Sequence, residues 1–305
     1  MNTTELLARI RQVGQISDND EDWTSTKILA EATQAIQTHF PKTLINTRSG
    51  FWMHRQTVPM VAGQKAYQIP VRAIVGGLEN VEITTDNRTY YPLSILTEHQ
   101  AIDYGWSSSG IPRCFSLEAD CVILYPAPSD ATYSIRFTYY LRPSTLTAAV
   151  ANGVVQSKDP NSVNVDAPVA GMSTVGPIYT IDCIHTTGSF ELSLVSIPAT
   201  YGAGAYTFPV GTDMSRISVG DVIRVAETSD QIQLPQELHR PLADYTAATI
   251  LAAKGDMERA QVLVGKCENA ITKFVDIATP RVKDSPFLMK TKNTFLRRRV
   301  RAGRW

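Results

Sequence analysis

Between Met257 and Ala278 the apolar residues Met257, Ala260, Val264, Cys267, Ile271, Phe274 and Ala278 recur at steps of 3, 4, 3, 4, 3 and 4. That spacing draws one stripe along an α-helix, with Glu258, Arg259, Gln261, Lys266, Asn269 and Lys273 elsewhere on the cylinder. Burying each large member is worth about 1.5–3 kcal/mol, so this helix requires a partner surface. The segment before it, LPQELHRPLADYTAATILAAKG, offers one: it is apolar on a broad face, with Pro235 or Pro241 as its start and Gly255 as its stop. The expectation is a helix hairpin over 231–280 within one chain, because the stripe is short for a coiled coil between chains.

Helical spacing also marks the other end. TELLARIRQV places Leu6, Ile10 and Val13 on one face, with Thr3 or Thr4 as N-cap and Gly14 as stop. DWTSTKILAEATQAIQTHFP places Leu29, Ala32, Ile36 and Phe40 together and ends at Pro41. From Gly50 to about Gln231 the texture changes to short runs rich in aromatic and β-branched residues, bounded by Gly, Pro, Asn or Asp. Glu118-Ala119-Asp120 predicts a hairpin turn, and a short helix is expected around YYPLSILTEHQAIDYG. The fold class expected is α+β: a helical bundle built from the N- and C-terminal helices, with a long inserted antiparallel β region projecting from it. Its parts are N-terminal helices (1–48), a β-rich region (49–146), an extra β-rich lobe (147–230), the C-terminal helix hairpin (231–280) and a basic tail (281–305).

A chain of 305 residues, 43% hydrophobic and 19% charged, has the make-up of a folded protein. No run approaches 18 apolar residues, and the N-terminus lacks the uninterrupted apolar stretch of a signal peptide, so no membrane partner and no secretion are expected. Without a secretory signal, Cys114, Cys121, Cys183 and Cys267 read as free thiols. The formal net charge is zero but unevenly spread: from Arg281 onward nine basic residues face one acid, a net +8, leaving 20 basic and 28 acidic residues, a net −8, on the remainder. A basic arm on an acidic body marks an interaction segment.

A search for chemistry returns little. His39, His54, His99, His185 and His239 sit in separate local contexts with no second ligand at metal spacing. Asp18 to Asp22, DNDED, begins like a calcium loop but has Trp23 and Leu29 where that loop needs Gly and Glu, so it reads as acid before a helix. Glu98 and His99 are adjacent and point apart on a helix. The GAG of ATYGAGAYTFPV does not precede a helix and reads as a β-turn. No catalytic residue, cofactor or metal is assigned.

The order of four stretches resembles that of bacteriophage head-to-tail adaptor (connector) proteins: the N-terminal helical segment, YYPL…GIPRCFSLEADCVILYPAPS, TYSIRFTYYLRPSTL, and the return LPQELHRPLADYTAATILAAKGDMERAQVLVGKCENAITKF. The departure is the stretch 147–230, where many adaptors have a short loop. The resemblance implies a virion structural protein forming a ring of copies, a dodecamer, beneath the portal. That ring would contact the portal protein above and a tail or neck protein below, with genome DNA passing through. In that setting the tail reads as a docking arm: Phe287, Phe295, Leu296 and Trp305 as apolar anchors, and Arg297, Arg298, Arg299, Arg301 and Arg304 as partners for portal carboxylates. DNA contact and a solvated end are the other readings of the tail. The alternative for the whole chain is a virion enzyme or a receptor- or glycan-binding protein, its site in the 147–230 lobe among Asp182, Glu191, Asp213 and Asp221.

Overall fold

The computed structural model describes residues 1–47, 50–86, 88–97, 109–148, 152–172, 174–186 and 192–278. Helix α1 (Thr3–Gly14) is capped by Asn2, not by Thr3 or Thr4. The Asn2 side chain accepts the Glu5 N–H at 2.8 Å, and Glu5 in turn accepts the Asn2 N–H at 3.3 Å. Helix α2 (Ser25–Thr38) is capped by Thr24 and buries Leu29, Ala32 and Ile36. Pro41 opens a further helix, α3 (Pro41–Thr47), because the first helical position needs no N–H. After a 3₁₀ turn at Gln236–Leu238 come α4 (His239–Ala253) and α5 (Met257–Ala278), packed together across Gly255, whose φ of +88° suits glycine. Ala260, Cys267 and Phe274 of the α5 stripe are buried, whereas Met257 at its start is 55% exposed.

Among the described residues the strands form two four-stranded open sheets, two two-stranded pairs and a barrel. One sheet runs in the order Met53–Pro59, Ser134–Leu141, Ala73–Thr84, Tyr91–Pro92, all antiparallel. The second runs Ala66–Gln68, Cys121–Tyr125, Cys114–Glu118, Ser94–Ile95, the last pair parallel. Its hairpin turns at Ala119 and Asp120, with Ala119 in the left-handed region (φ +52°). Strands occupy Tyr91–Pro92 and Ser94–Ile95, at the start of the segment expected to be a short helix; 98–108 lie outside the described residues.

The barrel takes Gly153–Lys158, Ser162–Val165, Ala205–Thr207, Leu192–Gly202, Ile178–Ile184 and Val222–Val225 in that order and closes back on Gly153–Lys158. Val155, Val163, Ile181, Cys183, Tyr206 and Ile223 fill it as a core of their own. The Tyr206 hydroxyl accepts the Val169 N–H at 3.0 Å and donates to the Met172 carbonyl at 3.3 Å, so this buried phenol is satisfied. The GAG segment is the turn between two barrel strands: Ala203 and Gly204 both have positive φ, +51° and +83°, as a two-residue hairpin loop demands.

The expected helical bundle with a projecting β region is therefore not the fold. Strands account for 34% of the described residues and helices for 29%, and six strands close a barrel. α1 and α2 do pack on α4, but they enclose no core of their own. One apolar cluster runs from Leu6, Ile36 and Leu242 on the helices into Val81, Phe115, Ile135 and Phe137 on the open sheets. Periodicity shows that a helix face must be covered; it does not say whether helices or sheets cover it. All four cysteines are free, and burial pushes the Cys267 thiol up to about 12. Among the described residues no helix is long and apolar enough to cross a membrane.

Candidate interaction site at the junction of barrel and body

The barrel meets the rest of the molecule through buried charge. Arg72 lies within the turn closed by Ala73 N–H and Pro70 O, and its side chain reaches Asp182 in the barrel strand Ile178–Ile184. Its Nη1 donates to both carboxylate oxygens at 2.8 Å and to Ser196 Oγ at 3.1 Å, while Nη2 donates to Ser144 Oγ at 3.1 Å. The Asp182 oxygens also accept the N–H groups of Ser196 (2.7 Å) and Glu227 (2.9 Å). Gln233 completes the cluster, donating to Ser144 Oγ and accepting the Ser144 N–H. Burial pushes the Asp182 carboxyl upward; Arg72 and the two amides pull it back.

A second tie joins the barrel to α1. Arg224, on strand Val222–Val225, contacts Asp230 at 2.8 Å, both side chains being buried. The Asp230 carboxylate also accepts from Asn152, and its backbone carbonyl accepts the Thr3 N–H at 2.8 Å. Entry to and exit from the barrel are paired as well: Thr145–Leu146 runs parallel to Thr228–Ser229. Leu146 N–H is held by Thr33 Oγ on α2 at 2.9 Å.

Between barrel and body runs a groove of about 920 Å³. Residues 54–58 of the first sheet form one wall, residues 194–197 and 211–213 of the barrel the other, and the Arg72 turn lies between. His54 packs edge-on against Tyr139 at 5.6 Å. Burial, then the charges of Arg216 and Arg72, lower the His54 imidazole to about 4, and burial raises the Tyr139 phenol to about 12. Both are neutral near pH 7. The groove offers hydrogen-bonding groups and guanidinium charge, the means of recognising a polar partner.

The residues singled out in the sequence fall elsewhere. Phe287, Phe295, Leu296, Arg297, Arg298, Arg299, Arg301, Arg304 and Trp305 lie outside the described residues, as do Glu98, His99 and Glu191. Of the lobe's carboxylates, Asp182 is engaged by Arg72, Asp221 by His185 (2.9 Å) and the Ser218 amide (2.8 Å), and Asp213 by the Ser215 amide (3.0 Å). Each serves its own local partners. The acidic run is a tether: Asp18 pairs with Arg11 and Asp20 with Lys254, both at 2.5 Å. Arg72 and Asp182 were not recognised as a pair in the sequence. The available signal is a carboxylate between Ile181 and Cys183 in the strand IYTIDCI, where a lone charge is too costly to stay unpaired.

No curated protein matches the chain. A family model described as SU10 adaptor protein matches residues 1–168, more than half of the 305. The match takes in α1 to α3, both open sheets and the first two barrel strands. It agrees with the resemblance read from the order of elements, and it leaves α4, α5 and most of the barrel beyond its limit. The chain belongs to the SU10 adaptor protein family, a family of phage structural adaptors.

Proposed function

We propose that this adaptor joins the capsid to the tail, its copies forming a ring, a dodecamer, beneath the portal with the genome DNA passing through the centre. The observation that carries the proposal is membership of a phage adaptor family, which supports a structural role in the virion beside other virion proteins. Charge supports it too. Residues 1–280 carry a net −8, and a channel wall of that sign does not retain a passing polyphosphate. The ring contacts the portal protein above and a tail or neck protein below, and the segment 147–230 is a lobe appended to an adaptor body.

The basic tail 281–305 is the portal-docking arm in this proposal. Phe287, Phe295, Leu296 and Trp305 enter apolar pockets, and Arg297, Arg298, Arg299, Arg301 and Arg304 pair with carboxylates of the portal. A single short arm binds weakly; many arms on one ring gain avidity. Deleting 295–305 is expected to leave the melting temperature unchanged and to abolish attachment to the portal, measured by co-sedimentation with purified portal rings. Attachment by the truncated protein at the wild-type level would refute the docking role. Binding of the full-length chain to DNA that falls steeply with salt and is lost on the same deletion would assign the arginines to phosphate contacts instead.

A further inference from the structure

The strand Met53–Pro59 is the last of its sheet, and its far side faces the groove. Hydrogen bonds at its two ends fix which residues look outward. Leu141 N–H donates to Trp52 O at 2.7 Å and Met60 N–H to Tyr133 O at 2.9 Å. With the register His54↔Tyr139, Gln56↔Phe137 and Val58↔Ile135, the even-numbered residues bond inward. Arg55 and Thr57 therefore turn both N–H and C=O toward the open side, where no described strand pairs with them. Pro59, lacking an N–H, ends the row.

The charges beside this edge select an occupant. Arg55, on the strand, and Arg216, on the barrel side, are exposed, and neither makes an ion pair among the described residues. Arg72 lines the same groove, with Asp182 as its partner. Asp213 and Glu227, on the barrel side, are the acids of the groove. The chain's own tail, at +8 over 281–305, is the wrong sign for the Arg55 edge.

We propose that the edge of Met53–Pro59 receives an extended, acidic segment of another protein as an added strand. The backbone of Arg55 and Thr57 forms the ladder, and alternate carboxylates meet Arg55 and Arg216. The site deepens the adaptor reading by giving the chain a second, tail-independent contact. It does not need the ring: binding at the edge can fail while rings form, and rings can fail while the edge binds.

The test is hydrogen exchange at the Arg55 and Thr57 amides of the full-length chain, read by NMR, with two synthetic peptides, (Thr-Glu)₄ and (Thr-Lys)₄, at millimolar concentration. (Thr-Glu)₄ is expected to slow both amides by about tenfold or more, and (Thr-Lys)₄ to leave them unchanged. Thr57→Pro removes an outward N–H that the fold does not use, and it should abolish binding with the melting temperature kept. If that variant fails to fold, Arg55→Glu with Arg216→Glu serves instead, and should transfer the preference to (Thr-Lys)₄. No protection by either peptide, or equal protection by both, overturns the proposal. Protection that grows with protein concentration in the absence of peptide also overturns it, by making a second copy the occupant.

Discussion

The barrel closes by pairing Gly153–Lys158 with Val222–Val225, whereas the sheet that contains Met53–Pro59 stops at that strand with one row of amides turned outward. Closure removes edges altogether; an open sheet must protect them by other means. Here the protection is local: a proline at the strand end, an arginine beside it, and the barrel wall across the groove. The two regions also differ in what fills them. The barrel holds a small core of its own, while the open sheets share one core with all five helices. A closed unit is self-sufficient, and an open one is completed by its neighbours.

The strongest way to break this comparison is to sever the tie between the regions. Arg72→Met leaves Asp182 buried without its cation and is expected to destabilise the protein by about 3–5 kcal/mol in urea unfolding. Adding Asp182→Leu should restore much of that loss, because no charge then remains to be compensated. If the single variant unfolds at the wild-type urea concentration, barrel and body do not depend on each other through this pair.

Acid acts on the body through two buried histidines, each with a smaller effect. His54 and His239 titrate near 4 in the fold against 6.5 unfolded, mainly through burial. Between those values the unfolded chain binds more protons, so the stability they contribute is present above about pH 6.5 and lost as pH falls toward 4. A decrease on the order of 2–3 kcal/mol per histidine from pH 7.5 to 4.5 is expected. His54→Gln with His239→Gln should flatten that dependence in thermal melts. The smallest effect concerns the barrel alone: Ala203→Gly, at φ +51°, relieves a left-handed strain and should raise stability by up to about 1 kcal/mol.

How far the sequence reached differs between these regions. Helix faces were legible because burial leaves a 3.6-residue trace: Leu6, Ile10, Leu29, Ile36, Cys267 and Phe274 are all buried. Local turn chemistry was legible at Ala119-Asp120 and at Ala203-Gly204. The α1 cap is expected at Thr3 or Thr4 and lies at Asn2, where the Glu5 contact decides. Pro41 was read as a stop, but a proline that ends one helix can open the next. The fold class was misread because alternation along a strand tells which face is buried and not which strand is its neighbour. Nothing local announces that Gly153 pairs with Ile223, or that Arg72 reaches a carboxylate 110 residues away. The proposed edge was invisible for the same reason, being defined by the strand that is missing beside it.

The parallel pair Thr145–Leu146 and Thr228–Ser229 has a further consequence. Neighbouring strands lie about 4.8 Å apart, so the chain departs for the barrel and returns from it through a gap narrower than two residues can span. A doorway of that width fixes where the inserted module begins and ends, and because its two posts are parallel the connection behind it must be a crossover and not a tight turn. The body's frame can carry a module of another size only if that module also supplies a partner for Arg72.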